Sequence, residues 1–166
     1  MKDREIKTNA MRILERSKIP FDVKEYEVDE SDLSGIHVAE ETNISCSKLF
    51  KTIVLKGDRT GYYVCLVRVD EEIDLKKASK LSNNKSSDLL HVKDLESVTG
   101  YIRGGCSPIG MKKKFPTFAS DKILSEDDIY ISAGKRGYQL HLKPADLIKF
   151  CQIRLGDITK DQLPFD

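Results

Sequence analysis

Apolar positions along the chain alternate between two periods. Over residues 8–16 they recur at helical spacing, with Ala10, Ile13 and Leu14 on one face. Thr8 is placed to accept a free N–H of the first turn. The pattern stops at Ser17-Lys18-Ile19-Pro20, where proline ends a helix. Residues 21–28 read as a strand whose apolar phase slips between Val23 and Tyr26, as a bulge or an edge strand would produce. A polar loop over 29–35 then leads into a weak second helix over 38–42.

The strongest strand covers 49–55, Leu-Phe-Lys-Thr-Ile-Val-Leu, and both of its phases are mainly apolar. Such a strand is expected to be covered on both faces. Lys51 shares its phase with Leu49, Ile53 and Leu55, so its side chain starts on an apolar face. A buried, unpaired ammonium costs several kcal/mol or loses its proton. Lys51 therefore either snorkels outward from the lip of the core or faces a polar cleft.

The remaining elements follow in the same way. Gly57 to Gly61 makes a hairpin turn into a returning strand over 62–69. Asp74 caps a helix over 75–81, and residues 83–88 form a polar break. A shorter helix over 92–98 stops at Gly100, and Tyr101-Ile102-Arg103 reads as a brief strand. Strands are expected over 115–118, 129–132 and 138–142, with an acidic turn over 125–128 and a last helix opened by Pro144. Residues 156–166 read as a loosely attached tail of one domain covering 1–166. Strands outnumber helices and several are joined by hairpins. The expected fold class is α+β, a mixed, mostly antiparallel and barrel-like sheet with peripheral helices.

Charge changes the picture only locally. Lys and Arg number 28 against 27 Asp and Glu, so no global field draws the protein onto nucleic acid, and DNA is not an expected partner. Any basic site must come from clusters such as Lys112-Lys113-Lys114 or Lys135-Arg136. No apolar run approaches the ~20 residues of a membrane span, and the charged start has no signal-peptide core; a cytoplasmic location is expected. Cys46, Cys65, Cys106 and Cys151 are widely separated and His37, His91 and His141 equally scattered, so no metal site or other cofactor is expected.

Two glycine loops carry the candidate chemistry. Arg103-Gly104-Gly105-Cys106-Ser107-Pro108-Ile109-Gly110 cannot be helix interior, and its N–H groups can form a concave anion or oxyanion site. A tight turn with basic flanks would have the same composition. Ala133-Gly134-Lys135-Arg136-Gly137 is the second loop. Cys106 is the one cysteine placed to be considered as a nucleophile.

A lysine on an apolar strand phase, a glycine-proline loop and a glycine loop bearing Lys135-Arg136 together resemble the YbaK family of aminoacyl-tRNA deacylases. These are free-standing relatives of the editing domain inserted in bacterial prolyl-tRNA synthetase. The resemblance runs from Thr8 to about Leu155 and rests on Thr8-Asn9-Ala10, Phe50-Lys51-Thr52, Asp74 to Ala78, Thr99-Gly100-Tyr101 and the two glycine loops. It looks closest to the Cys-tRNA(Pro) deacylases.

The resemblance implies a site with Lys51, Gly104 and Tyr26 in the catalytic roles. Around them it sets Thr52, Ser132 and Gln139, with Gly105, Cys106 and Ser107 contributing loop donors. Lys113 and Arg136 are the cations expected to meet the acceptor end of an aminoacyl-tRNA. Where better-known members carry aspartate, this chain has Gln139, which hydrogen-bonds but cannot act as a base. The implied activity clears mischarged tRNA, with the substrate's own thiol attacking its ester and prolyl-tRNA synthetase a possible delivering partner. A non-catalytic module of the same fold, or a deacylase for another small aminoacyl-tRNA, fits the same residues.

Overall fold

The computed structural model describes residues 6–161. Helix α1 (Asn9–Arg16) starts where Thr8 accepts the Met11 N–H, and it buries Ala10, Met11 and Leu14. Strand β1 (Asp22–Glu25) is shorter than the expected 21–28 and fully exposed, an edge strand. Beyond it the Tyr26 N–H donates to Gly137 O, so the chain leaves the sheet against the second glycine loop. Helix α2 (Gly35–Thr42) begins three residues earlier than the apolar pattern indicates, because Ser34 caps it by accepting the His37 N–H.

Strands β2 (Phe50–Gly57) and β3 (Gly61–Arg68) form the central hairpin. Leu49, Phe50, Val54 and Leu55 are all buried, as a strand covered on both faces requires. Helix α3 (Leu75–Leu81) follows, capped by Asp74. Then come β4 (Ser87–Leu89) and α4 (Val92–Thr99). After the glycine-proline loop lie β5 (Thr117–Ser120), β6 (Ile129–Ser132), β7 (Tyr138–Leu142), α5 (Pro144–Cys151) and β8 (Arg154–Gly156).

The described strands form two sheets, in the orders β1-β7-β6 and β4-β2-β3-β5-β8. Four pairings are antiparallel, while β5 runs parallel to both β3 and β8. The expected barrel-like closure is not what forms. A 3-10 turn at Asp121–Ser125 swings the chain out of the larger sheet after β5, and β6 pairs with β7 instead. One parallel bridge, Leu49 to Tyr130, joins the two sheets.

Four further expectations are corrected. Tyr101 to Arg103 is a turn, because Tyr101 N–H goes to Thr99 Oγ1 and Gly105 N–H to Ile102 O. The strand expected at 115–118 lies two residues later, since Pro116 has no N–H to give a ladder and offers only its carbonyl, to Val64 N. The polar stretch 83–88 contains the start of β4, whose Ser87 is buried against Tyr63 Oη and Ser79 Oγ. The tail is docked as far as residue 161. Ile158 is 0 % exposed in a cluster with Tyr63, Phe118 and Ile73, and Thr159 bridges to Ile73. The last five tail residues, 162–166, lie outside the described residues.

Candidate active site

The site is a cleft of about 330 Å³ where the two sheets meet under the first glycine loop. Its walls bring together residues distant in sequence. Lys51 and Thr52 come from β2, Ser132 from β6, Gln139 from β7, Tyr26 from the turn after β1, and Gly104 and Cys106 from the loop. Ser132 and Gln139 are register partners in the β6–β7 pair, so their side chains emerge on the same face.

Lys51 is half-buried, and its pKa is lowered chiefly by burial, which the nearby carboxylates of Glu72, Asp70 and Glu71 partly offset. Among the described residues its Nζ has no hydrogen-bond or ion-pair partner. Of the two positions open to it, Lys51 takes the one facing a cleft. Thr52 Oγ1 is also buried without a partner. An unmet buried hydroxyl costs about 1–3 kcal/mol, a penalty a bound ligand can relieve. Gln139 is 7 % exposed, and its amide makes no hydrogen bond among the described residues.

The two glycine loops are built against each other. Gly104 has φ +83°, and a Cβ there would lie 3.3 Å from Arg136 Nε and 3.4 Å from Leu33. A Cβ on Gly105 would sit 3.2 Å from the Arg136 backbone nitrogen, so the second loop seats directly on it. Tyr101 is the post of this assembly. Its hydroxyl donates to Ile109 O across the loop, and a Cβ on Gly134 would come within 2.9 Å of its ring. Burial pushes the Tyr101 phenol up to about 12, so it stays a donor.

The structure divides the expected site residues. Tyr26, Lys51, Thr52, Gly104, Cys106, Ser132 and Gln139 line the cleft; Gly105, Ser107, Lys113 and Arg136 do not. Ser107 is fully buried and its Oγ accepts the Ile109 N–H, which shapes the loop from behind. Gly105 spends its N–H on the turn. The N–H groups of Gly104 and Cys106, by contrast, meet no acceptor among the described residues. Arg136 acts as a clamp: Nε donates to Arg103 O at 2.7 Å and Nη1 pairs with Glu30 at 2.8 Å. Lys113 lies in a separate groove. Cys106 reaches the cleft as a thiol, pushed up to about 11 by burial and only partly relieved by Thr99.

Sequence reasoning missed Leu33, Ser34, Gly35 and Val38, which bring the start of α2 to the cleft, together with Val69. A Cβ on Gly35 would lie 2.3 Å from Val69 Cγ1, so glycine permits this approach. Ser34 followed by Gly35 after an Asp-rich loop was the available helix-start signal. Among the described residues, no three His, Cys, Asp or Glu side chains cluster as metal ligands, and no helix is long and apolar enough to cross a membrane.

Comparison with known proteins bears on this geometry. The model of the aminoacyl-tRNA editing domain matches residues 35–150. A proposed Cys-tRNA(Pro)/Cys-tRNA(Cys) deacylase, EbsC of Enterococcus faecalis, is 46 % identical over 92 % of this chain and 93 % of its own. The proline–tRNA ligase of Brachyspira hyodysenteriae is 31 % identical over 66 % of this chain, which corresponds to 19 % of that ligase. A crystal structure of a proposed trans-editing enzyme for prolyl-tRNA synthetase shares the fold, with TM-score 0.79 at 20 % identity over 95 % of this chain and all of that one. The resemblance drawn from the lysine strand and the two glycine loops holds, and the chain belongs to the aminoacyl-tRNA editing domain family.

Proposed function

We propose that the protein is a trans-acting deacylase that clears mischarged aminoacyl-tRNA, with Cys-tRNA(Pro) as its main substrate and Cys-tRNA(Cys) as a second. The observation that carries this reading is the make-up of the cleft. It offers an unpartnered cation, an unpartnered hydroxyl, a neutral amide and free loop N–H groups, while its one cysteine is held as a thiol. Such a site positions and stabilises charge; it is not equipped to attack.

The cysteinyl ester supplies its own nucleophile. Its sulfur attacks the ester carbonyl, a C–S bond forms, and the oxyanion is met by the Gly104 and Cys106 N–H groups. Collapse breaks the bond to the ribose oxygen, which takes up the proton lost by the thiol. The products are a cyclic thiolactone and tRNA with a free hydroxyl. Lys51 holds the terminal phosphate or the ester oxygen, Tyr26 and Thr52 line the seat of the amino acid, and Ser132 and Gln139 close it. Such a second site answers a real need, because discriminating ligands of similar size in an apolar pocket is worth only about 1–3 kcal/mol.

A net charge of +1 gives the protein little general grip on tRNA, so delivery by prolyl-tRNA synthetase fits, as does a cytoplasmic location. The test is a panel of labelled aminoacyl-tRNAs. Cys-tRNA(Pro) is expected to be deacylated well ahead of Ala-tRNA(Pro), which has no thiol. Equal rates would remove the thiol-assisted step. Tight binding of the acylated end without cleavage would leave a recognition module, the reading that Gln139 favours.

A further inference from the structure

Behind the glycine-proline loop lies a second cavity, of about 190 Å³, that the deacylation scheme does not use. Cys106 walls the first cleft and Pro108 walls this one, so two residues of the same loop, at most about 7 Å apart along the chain, contribute to both cavities. Its apolar wall is built from Ile13, Met111, Phe115 and Phe150, with both rings partly exposed. The Phe115 ring is held edge-on by Tyr62 at 6.0 Å. Lys113 and Lys114 also line the cavity. Lys113 is exposed and has no ion-pair partner among the described residues, and Lys114 donates to the neutral Gln152 rather than to a carboxylate.

The sign of the charge separates these two cavities from other surface grooves. Neither has a carboxylate in its lining. One further groove is lined by Glu25, Glu27 and Glu41, and another by Glu15 and Glu25. A polyanion would therefore find two cationic hollows whose walls share one loop, through Cys106 in the first and Pro108 in the second.

We propose that the second cavity seats an unpaired nucleotide of the tRNA acceptor strand, upstream of the acylated adenosine that occupies the first cleft. This rests on the deacylase reading. Aromatic and methionine surface suits a base face of any sequence, and the two ammonium groups suit the phosphates on either side of it. The subsite would be tolerant of sequence and sensitive to salt.

The experiment compares full-length Cys-tRNA(Pro) with cysteinyl-adenosine, the same ester without upstream nucleotides. Lys113→Glu and Phe150→Ala are expected to raise KM for the tRNA about tenfold, a penalty confined to the long substrate. In Lys113→Glu the slope of log K against log salt for a CCA trinucleotide should fall by about 0.7. Variants that match wild type on the tRNA, or that lose both substrates equally, overturn the subsite. If Phe150→Ala fails to fold, Lys113→Glu, on an exposed loop position, decides alone. If wild type cleaves neither ester, the deacylase reading falls separately. CCA binding still tests the groove: loss in Lys113→Glu supports it and retention overturns it.

Discussion

Replacing Lys51 by methionine tests the centre of the site, because it removes the charge and keeps the aliphatic stem. The ammonium is half-buried in the cleft wall without a protein partner, and burial lowers its pKa from the ordinary 10.5. A charge-assisted contact from this group to substrate is worth roughly 1.5–3 kcal/mol. At 1.36 kcal/mol per decade, its loss should slow deacylation about 10- to 150-fold. Stability should move the other way. A lysine whose folded pKa lies below its unfolded value penalises the native state, and that penalty is fully present below the folded pKa. Between the folded pKa and 10.5 the unfolded chain binds more protons, so stability rises with pH across that window. Lys51→Met should therefore melt no earlier than wild type near pH 7 and lack this alkaline gain. Activity of the wild type should fall through the same window as the ammonium is lost. Thermal melts from pH 7 to 10.5, run beside single-turnover deacylation, read both. A variant with full activity and a much lower melting temperature would make Lys51 structural and refute the assignment.

Other positions give independent checks. Cys106→Ala should keep most activity, since a thiol near 11 is about one part in 10⁴ thiolate at pH 7; lost activity in a folded protein would make it the nucleophile. Gly104→Ala should cost about 1–2 kcal/mol in denaturant melts, because φ is +83°, and should impair deacylation by shifting the loop N–H groups; an unchanged midpoint would contradict the strained backbone. Asp128 is held below the usual carboxylate range first by Lys48 and then by His141. Its contribution is present above the unfolded pKa and lost as pH falls through the folded one, so Asp128→Asn should flatten the acid side of the stability profile. Arg136→Lys should loosen the loop clamp and lower kcat for cysteinyl-adenosine, although Arg136 is not in the cleft; an effect on tRNA affinity alone would point to phosphate contact instead.

How far the site was legible depended on whether a residue's partners are local in sequence. Lys51 stood out because strand alternation alone sets it among Leu49, Ile53 and Leu55. Ser107 did not, because a serine beside proline reads alike whether its hydroxyl faces a ligand or, as here, the Ile109 N–H behind it. Arg136 looked like a phosphate contact because its actual partner, Glu30, lies 106 residues away. The short strands β4 and β8 have three residues each, too few to show a period, and Ile158 stands alone among the polar residues 157–162. Barrel closure was misjudged for a related reason. Whether β6 continues one sheet or starts another is decided by the turn at Asp121–Ser125, which composition does not reveal.

Gln139 bears on how the cleft treats substrate and product differently. A carboxylate at this position would share the cleft with Lys51, and an opposite charge nearby would raise the lysine's pKa and compete for its ammonium. The amide hydrogen-bonds without charge, so the ionic groups lining the cleft, Lys51 and Arg103, are both positive. In the proposed reading, an ester still attached to tRNA brings phosphates to that wall. A released thiolactone has no carboxylate, since the carboxyl carbon is consumed in the ring, and it keeps an amino group that the same wall repels when protonated. In that reading, the charge that would retain the acylated tRNA offers no matching attraction to the amino-acid product.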